Sequence, residues 1–403
     1  MIENKPRKLR IMWASNAIHV PTGYGMASLD MFNNFRQAGW TPENFSFVDT
    51  AGINSGKPKD EFGFTHFPLI NHVMGSDAQR IHSERWNADV VVGLYDVWPQ
   101  NPQDLQQIKR WIVWLPVDYD PVPMPILAGA RSAYQIVAMS KFGQTQLKEA
   151  GFASTFIPHG VNTNIFKPMD QKAIREKLHI DPKTYIFGMV SENKAAVNPR
   201  KSYQQVLEAF KKVLEKRPNT YLYIHTDPDF PGGFPLKQFI SYLGIGERVG
   251  FPDTYHQKYE TTKEEIAQIY NTIDCLVNPS ATEGFGIPIV EAMSCGKPVI
   301  VQDWTAMSEL IEDGITGYKV PPHFKIWYPI GSYVCYPKTE DVFNSMMKVM
   351  DYRGDKWEKP CRDFVLKNYD QDKLFEERWL KIFEDMEQEI YGSPTLTNPQ
   401  KKV

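Results

Sequence analysis

Residues 278–301 read NPSATEGFGIPIVEAMSCGKPVIV. The apolar run Ile273 to Val277 just before this stretch reads as a buried strand. It leads into a small polar loop and then a Gly-Phe-Gly turn, Gly284 to Gly286. Pro288 to Met293 reads as a helix, and Pro298 to Val301 as the next strand. Strand, loop, helix, strand is the repeating unit of a parallel sheet covered by helices. Ligands of such sheets bind beyond the carboxyl ends of the strands, where this loop falls. Free backbone N–H groups and the positive end of the helix dipole point there. Gly284 and Gly286 carry no side chain, so the backbone can approach a ligand closely. The place suits a diphosphate and polyhydroxyl groups.

The same alternation extends in both directions. Upstream, strands are expected at Leu9–Ala14, Phe45–Val48, Asp89–Leu94, Trp111–Leu115 and Gln135–Met139, with a helix from Met26 between the first two. A stretch rich in Pro and Gly, Phe156 to Pro168, interrupts the pattern and reads as a linker. A second series follows, with strands at Tyr185–Val190 and Tyr221–His225. Between them Tyr203, Val206, Leu207, Phe210, Val213 and Leu214 follow the spacing of a one-faced helix. Ala306–Ile311 reads as a further helix ending at Gly314, and Asp372–Ile390 as the last one. A single core stops growing at roughly 250–300 residues, so 403 residues imply two domains. We expect an α/β protein with a first Rossmann-like domain over residues 1–165 and a second over 166–365. A C-terminal helical segment should occupy 366–390, and a loose polar tail 391–403.

Two carboxylates flank the Gly-Phe-Gly turn, Glu283 before it and Glu291 within the helix. An ionised carboxylate can accept hydrogen bonds from two adjacent sugar hydroxyls. On residue types alone, Glu283 serves equally well as a helix cap and Glu291 as a favourable charge near the helix N-terminus. The whole run, however, closely resembles the E-x7-E region of retaining GT-B glycosyltransferases. That large family includes sucrose-forming and phosphatidylinositol mannosyl-transfer enzymes. Glu283, Gly284, Phe285, Gly286, Pro288, Glu291, Gly296, Pro298 and Val299 carry the resemblance, and Ile287 beside them is a further candidate donor contact. It implies two Rossmann-like domains facing across a cleft, with a nucleotide diphosphate sugar as donor and no metal or other cofactor. It also implies that Glu291 holds the ribose and Glu283 the donor sugar, with the backbone amides of Phe285 and Gly286 near its hydroxyls. The last helix would cross back to the first domain.

Asn198, Pro199, Arg200 and Lys201 precede the 203–214 helical pattern, again beyond a strand's carboxyl end. Cations at a helix N-terminus oppose its dipole, and an anionic partner would explain them. Fixed cations there would stabilise a departing diphosphate. The family has an Arg and a Lys in this region. Here the preceding stretch, Ser191 to Val197, is expanded, and Glu192 stands where a basic residue is expected. In the first half, Val20 to Gly25 forms a short glycine loop. The resemblance places Gly23 and Gly25 at the cleft, although turns use glycine in any case. Asp118, after strand Trp111–Leu115, is a candidate sugar contact with Asp120 as its rival, and either also suits a turn before Pro121. Ser140 reads as an N-cap with Lys141 beside the cleft. His159, in the hinge segment Ile157 to Asn162, reads as structural. Tyr255 or His256 is a candidate neighbour of the nucleotide base, and a surface loop explains both as well.

Composition narrows the field. The chain is 42% hydrophobic and 23% charged, which suits globular domains, and its net charge of -3 gives no bulk attraction to polyanions. The four cysteines are scattered and have no zinc spacing, so a reducing, cytoplasmic setting is expected. Asp118-Tyr-Asp120 has the letters of a metal-binding D-x-D motif but lies in the half expected to meet the acceptor. The resemblance thus implies a metal-independent, retaining glycosyltransferase with an open acceptor identity: a glycan, lipid, small metabolite, protein or modified nucleic acid. Alternatives on the same fold are a nucleotide-sugar epimerase or hydrolase, or a non-catalytic nucleotide-sugar-binding protein. A dinucleotide oxidoreductase is disfavoured because its glycine fingerprint is missing.

Overall fold

The computed structural model describes residues 7–18, 22–50, 59–61, 63–194 and 200–392. Two open sheets dominate. In space, the first runs Lys59–Glu61, Phe64–Phe67, Phe45–Asp49, Ile11–Ser15, Val90–Leu94, Trp111–Leu115, Gln135–Ala138 and Thr155–Phe156. All its pairings are parallel except that of Lys59–Glu61 with Phe64–Phe67. The second runs Val249–Gly250, Thr220–His225, Tyr185–Val190, Cys275–Asn278, Val299–Gln302 and Gly317–Val320, all parallel. Strands Ile11–Ser15, Val90–Leu94 and Trp111–Leu115 are buried at every residue. Helices cover both faces, so these strands are continuous apolar runs rather than alternating ones. Alternate residues still serve opposite faces: Ile11 and Trp13 enter one core cluster, Met12 and Ala14 the other.

Each sheet has one point where the chain order reverses. In the first it lies between Ile11–Ser15 and Val90–Leu94, in the second between Tyr185–Val190 and Cys275–Asn278. Crevices for ligands form beyond the carboxyl ends of strands at such points. In the second sheet the loops that leave these strands lead to Arg200–Lys201 and to Glu283.

Two chain crossings join the domains, and they pair side by side. Val161 N–H donates to Tyr369 O at 2.7 Å and Gln371 N–H to Val161 O at 3.0 Å. Helix Leu380–Tyr391 then lies against the first domain. Just before it, the Trp379 ring meets Trp13 and Trp114 edge-on at 6.2 and 5.1 Å between centroids. Phe383 packs on Phe35 at 5.3 Å, and Glu384 pairs with Arg7 at 3.1 Å.

Several elements differ from the sequence reading. The first helix starts at Gly23 rather than Met26, because the Thr22 hydroxyl caps Gly25 N–H at 3.1 Å. The expected helix over 306–311 is a short 3₁₀ turn, Thr305–Glu309. The last helical segment begins at Gln371 and passes through a wide π turn, Phe375–Trp379. Among the elements without sequence forewarning are the hairpin Pro322–Tyr328 with Ser332–Pro337, helix Thr339–Met350 and helix Asp355–Asn368. Of the expected tail, residues 393–403 lie outside the described residues. Among the described residues no helix is long and apolar enough to cross a membrane. All four cysteines are buried free thiols.

Candidate active site

Strand Cys275–Asn278 ends in a buried loop that carries Glu283, which is 7% exposed. The Lys201 ammonium meets Glu283 Oε1 at 2.5 Å, and Arg200 Nη1 meets Oε2 at 3.3 Å. The same guanidinium nitrogen donates to Thr282 O at 3.2 Å and lies 3.8 Å from Asp118 Oδ2. Asp118 belongs to the first domain, so these contacts span the cleft. Burial alone would raise the Glu283 carboxyl, but Lys201 and Arg200 outweigh it and hold the group at about 2. It is therefore ionised at neutral pH. Burial pushes Asp118 the other way, to about 7, with Asp96 and Glu283 adding to the rise and Arg200 opposing it. Burial and the neighbouring Arg200 lower the Lys201 ammonium, against the pull of Glu283. Below about pH 7, where Asp118 is protonated, Arg200 and Lys201 against Glu283 leave these four side chains with one excess positive charge.

The backbone at the site is held in unusual conformations. Ser202, directly after Lys201, has φ +54°, and Thr305 has φ +51°. Such left-handed non-glycine residues cost about 1–3 kcal/mol each and gather at functional sites. The Thr305 hydroxyl accepts Glu283 N–H at 3.1 Å, so the strained residue fixes the loop. Thr282 Oγ1 and Asn278 Oδ1 are buried with no hydrogen-bond partner among the described residues, a demand that native interiors rarely leave open.

The turn also explains its glycines. Gly286 has φ +112° and immediately precedes helix Ile287–Ser294. A Cβ on Gly284 would stand 2.7 Å from Pro116 Cβ in the first domain. Phe285 points away from the cleft, buried against His159 and Tyr369 at 5.4 and 5.7 Å between centroids. His159 also lies over Trp114 at 4.2 Å. Burial lowers its ring to about 3, so it is a neutral packing residue. Glu291 accepts from the Tyr270 hydroxyl at 2.9 Å, and burial raises its carboxyl to about 7. Nearby, Lys263 reaches across to Asp30 of the first domain at 2.6 Å.

Gly23 and Gly25 lie in the first turn of helix Gly23–Gln37 rather than in a loop. A Cβ on Gly23 would be 3.6 Å from Ile287 Cδ1, so the two residues face each other across the cleft. Gly25 is buried. Ser140 caps Gly143 N–H at 3.0 Å, while the amides of Lys141 and Phe142 bind Glu309 of the other domain at 2.9 and 3.0 Å. Tyr255 is 64% exposed on helix Thr254–Tyr259 against Tyr259. None of its described contacts joins it to the Glu283 or Glu291 group. His256 pairs with Glu260 and Glu265. Val20, Pro21, Asn198, Pro199 and the 195–197 part of the expanded stretch lie outside the described residues.

Sequence reading passed over Asp96, which accepts from the Tyr24 hydroxyl at 3.0 Å and acts electrostatically on Asp118 and Arg200. A signal existed: Asp96 follows the apolar run Val90–Leu94 at a strand's carboxyl end. Thr305 and Tyr270 gave none, since only the fold brings them to Glu283 and Glu291. Among the described residues no group of three His, Cys, Asp or Glu side chains gathers as a metal site.

Two parallel-sheet domains, joined by a hinge and facing each other across a cleft at their strands' carboxyl ends, define the GT-B class. Residues 170–326, in the second domain, match the model of the family described as Glycosyl transferases group 1. Among solved structures, sucrose-phosphate synthase from Thermosynechococcus elongatus superposes with a TM-score of 0.74 at 16% identity, over 96% of this chain and 100% of that one. Anabaena HepE in complex with UDP and glucose gives 0.68 at 16% identity, over 94% and 100%. D-inositol 3-phosphate glycosyltransferase of Segniliparus rotundus is 26% identical over 41% of this chain, and the match spans about a third of that relative, 35%. The protein of that name from Mycobacteroides abscessus is 24% identical over 68% of this chain and 59% of its own length.

Proposed function

We propose that this chain transfers a sugar from a nucleoside diphosphate sugar to an acceptor hydroxyl, without a metal ion and with retention at the anomeric carbon. One observation carries the reading: Arg200, Lys201 and Glu283 meet at the switch point of the second sheet and face Asp118 of the first domain. In the proposed step the bond from the anomeric carbon to the diphosphate breaks, and the diphosphate keeps the electron pair. Arg200 and Lys201 meet that growing charge where it develops, which stabilises the transition state more than the ground state. The acceptor oxygen bonds to the anomeric carbon, and its proton passes to the departing phosphate. Glu283, ionised and fixed by two cations, receives hydrogen bonds from sugar hydroxyls. Asp118 contacts the sugar from the opposite wall, and Glu291 holds the ribose.

The test is turnover of UDP, GDP, ADP and TDP sugars in the presence of EDTA, read as released nucleoside diphosphate and glycosylated product. UDP sugars come first, because HepE, which shares this fold, binds UDP and glucose. Wild-type turnover and nucleotide affinity in both Glu291→Ala and Lys201→Ala would refute the site. An inverted anomer by NMR would remove retention. Product formed without any acceptor would favour the hydrolase or epimerase reading, and tight donor binding without turnover a binding protein.

A further inference from the structure

On the far side of the second domain, at the amino ends of its strands, lies a second cavity of about 260 Å³. At about 30 Å³ per water it has room for a small organic ligand. Its walls include Lys297, Arg353, Tyr185, Tyr352, Trp357 and Glu358. Lys297 is only 9% exposed, and no carboxylate, carbonyl or hydroxyl lies within bonding distance of its ammonium among the described residues. Long cationic side chains are almost never buried unless paired. A second donor in the same wall also lacks a partner: the Trp357 indole N–H is buried with no acceptor among the described residues.

The neighbouring charges do not meet this need. Asp274 is committed to Arg175 at 2.9 Å and to the Ile186 amide at 2.8 Å. Glu358 and Asp170 border the opening, but neither reaches ion-pair distance of Lys297, and Asp170 caps Ala173 N–H. Arg353 lies over the Tyr185 ring at 4.9 Å, makes only long bonds to Pro182 O and Lys183 O at 3.4 and 3.5 Å, and lies 3.8 Å from Asp274, with its side chain 42% exposed. Helix Asp355–Asn368 also begins here, at Gly354, without a side-chain cap, which adds partial positive charge at the same opening. Burial lowers the Lys297 ammonium, and the more distant Asp274 and Glu358 carboxylates offset this only in part.

We infer that this cavity binds a small phosphate-bearing metabolite, its oxyanion held between Lys297 and Arg353 at the start of helix Asp355–Asn368 and its body against the aromatic wall. The site is separate from the cleft. Its position connects it to the cleft, because Gly296 and Lys297 join the helix that carries Glu291 to strand Val299–Gln302. In addition, Arg362 of helix Asp355–Asn368 holds the hinge carbonyls Thr163 O and Phe166 O at 2.8 and 2.6 Å.

The test titrates the full chain with inorganic phosphate and with a hexose phosphate by calorimetry, at constant ionic strength set with chloride. Wild type should bind, with the hexose phosphate tighter than phosphate alone. Lys297→Met should weaken binding about tenfold or more and Arg353→Gln by several-fold, as expected for lost charge-assisted bonds. Lys201→Ala, which alters only the cleft, should leave intact the binding component that Lys297→Met and Arg353→Gln weaken. Arg353 is exposed, so its variant decides the matter even if Lys297→Met fails to fold. No binding by wild type overturns the inference. Binding that survives at both Lys297 and Arg353 but is lost in Lys201→Ala places the anion in the cleft and overturns it as well.

Discussion

Replacing Asp118 by Asn should make the protein more stable at high pH and a poorer catalyst. Burial holds the Asp118 carboxyl at about 7, well above the ordinary 3.8. The folded state therefore keeps a proton that the unfolded chain has already lost over that interval. Stability due to this group is complete below the unfolded value and is lost as pH rises through the folded one. From about pH 5 to about pH 8 the loss covers roughly two pH units, or about 2.7 kcal/mol at 1.36 kcal/mol per unit. The side chain is 20% exposed, and solvent access reduces this to about 2 kcal/mol. Asn keeps the shape and never ionises, so the difference between variant and wild type should widen by that amount across the interval. Urea unfolding at the two pH values measures it. The same substitution replaces the carboxyl proposed to contact the donor sugar, and turnover should fall about 10- to 100-fold. Gaining stability while losing activity is the signature of a group kept for function. Parallel pH–stability curves for the two proteins would refute the burial argument, and unchanged turnover would refute the sugar contact.

Lys201→Ala should lower turnover by about 100-fold or more, the scale of losing one fixed donor to a developing anion, as read by release of nucleoside diphosphate. Glu291 is neutral below about 7 and ionised above it. The affinity for uridine, which reports the ribose pocket without the diphosphate, should therefore strengthen as pH rises through about 7, and Glu291→Gln should flatten that profile. Gly284→Ala places a methyl group 2.7 Å from Pro116; it should hold the domains apart, so that kcat falls while the nucleotide Kd changes little.

The sheets were legible because a strand covered on both faces must be a continuous apolar run, as Val90–Leu94 and Trp111–Leu115 are. The family resemblance and strand ends singled out Glu283, Glu291 and the Arg200–Lys201 pair, and the fold brings Glu283 together with that pair. What sequence reading passed over has identifiable physical causes. Pro360 sits inside helix Asp355–Asn368, and a reading that treats proline as a breaker looks elsewhere for helices. Gly23 and Gly25 argue against a helix start on propensity, yet the Thr22 cap and burial of Gly25 override it. The 3₁₀ turn Thr305–Glu309 is too short to show a period. Asp96, Thr305 and Tyr270 owe their places to contacts between residues far apart in the chain, which local patterns do not encode.

The return of the chain to the first domain also sets an order of assembly on the ribosome. The aromatic core around Trp13, Phe35 and Trp114 is closed by Trp379 and Phe383, which emerge more than 220 residues after the last strand of that sheet, Thr155–Phe156. At about 5–20 residues per second that interval lasts roughly 10–45 s. Throughout it the second domain can complete its own sheet while the first waits with an uncovered aromatic surface. The nascent first domain is thus a natural client for chaperones, and the half that starts first finishes last.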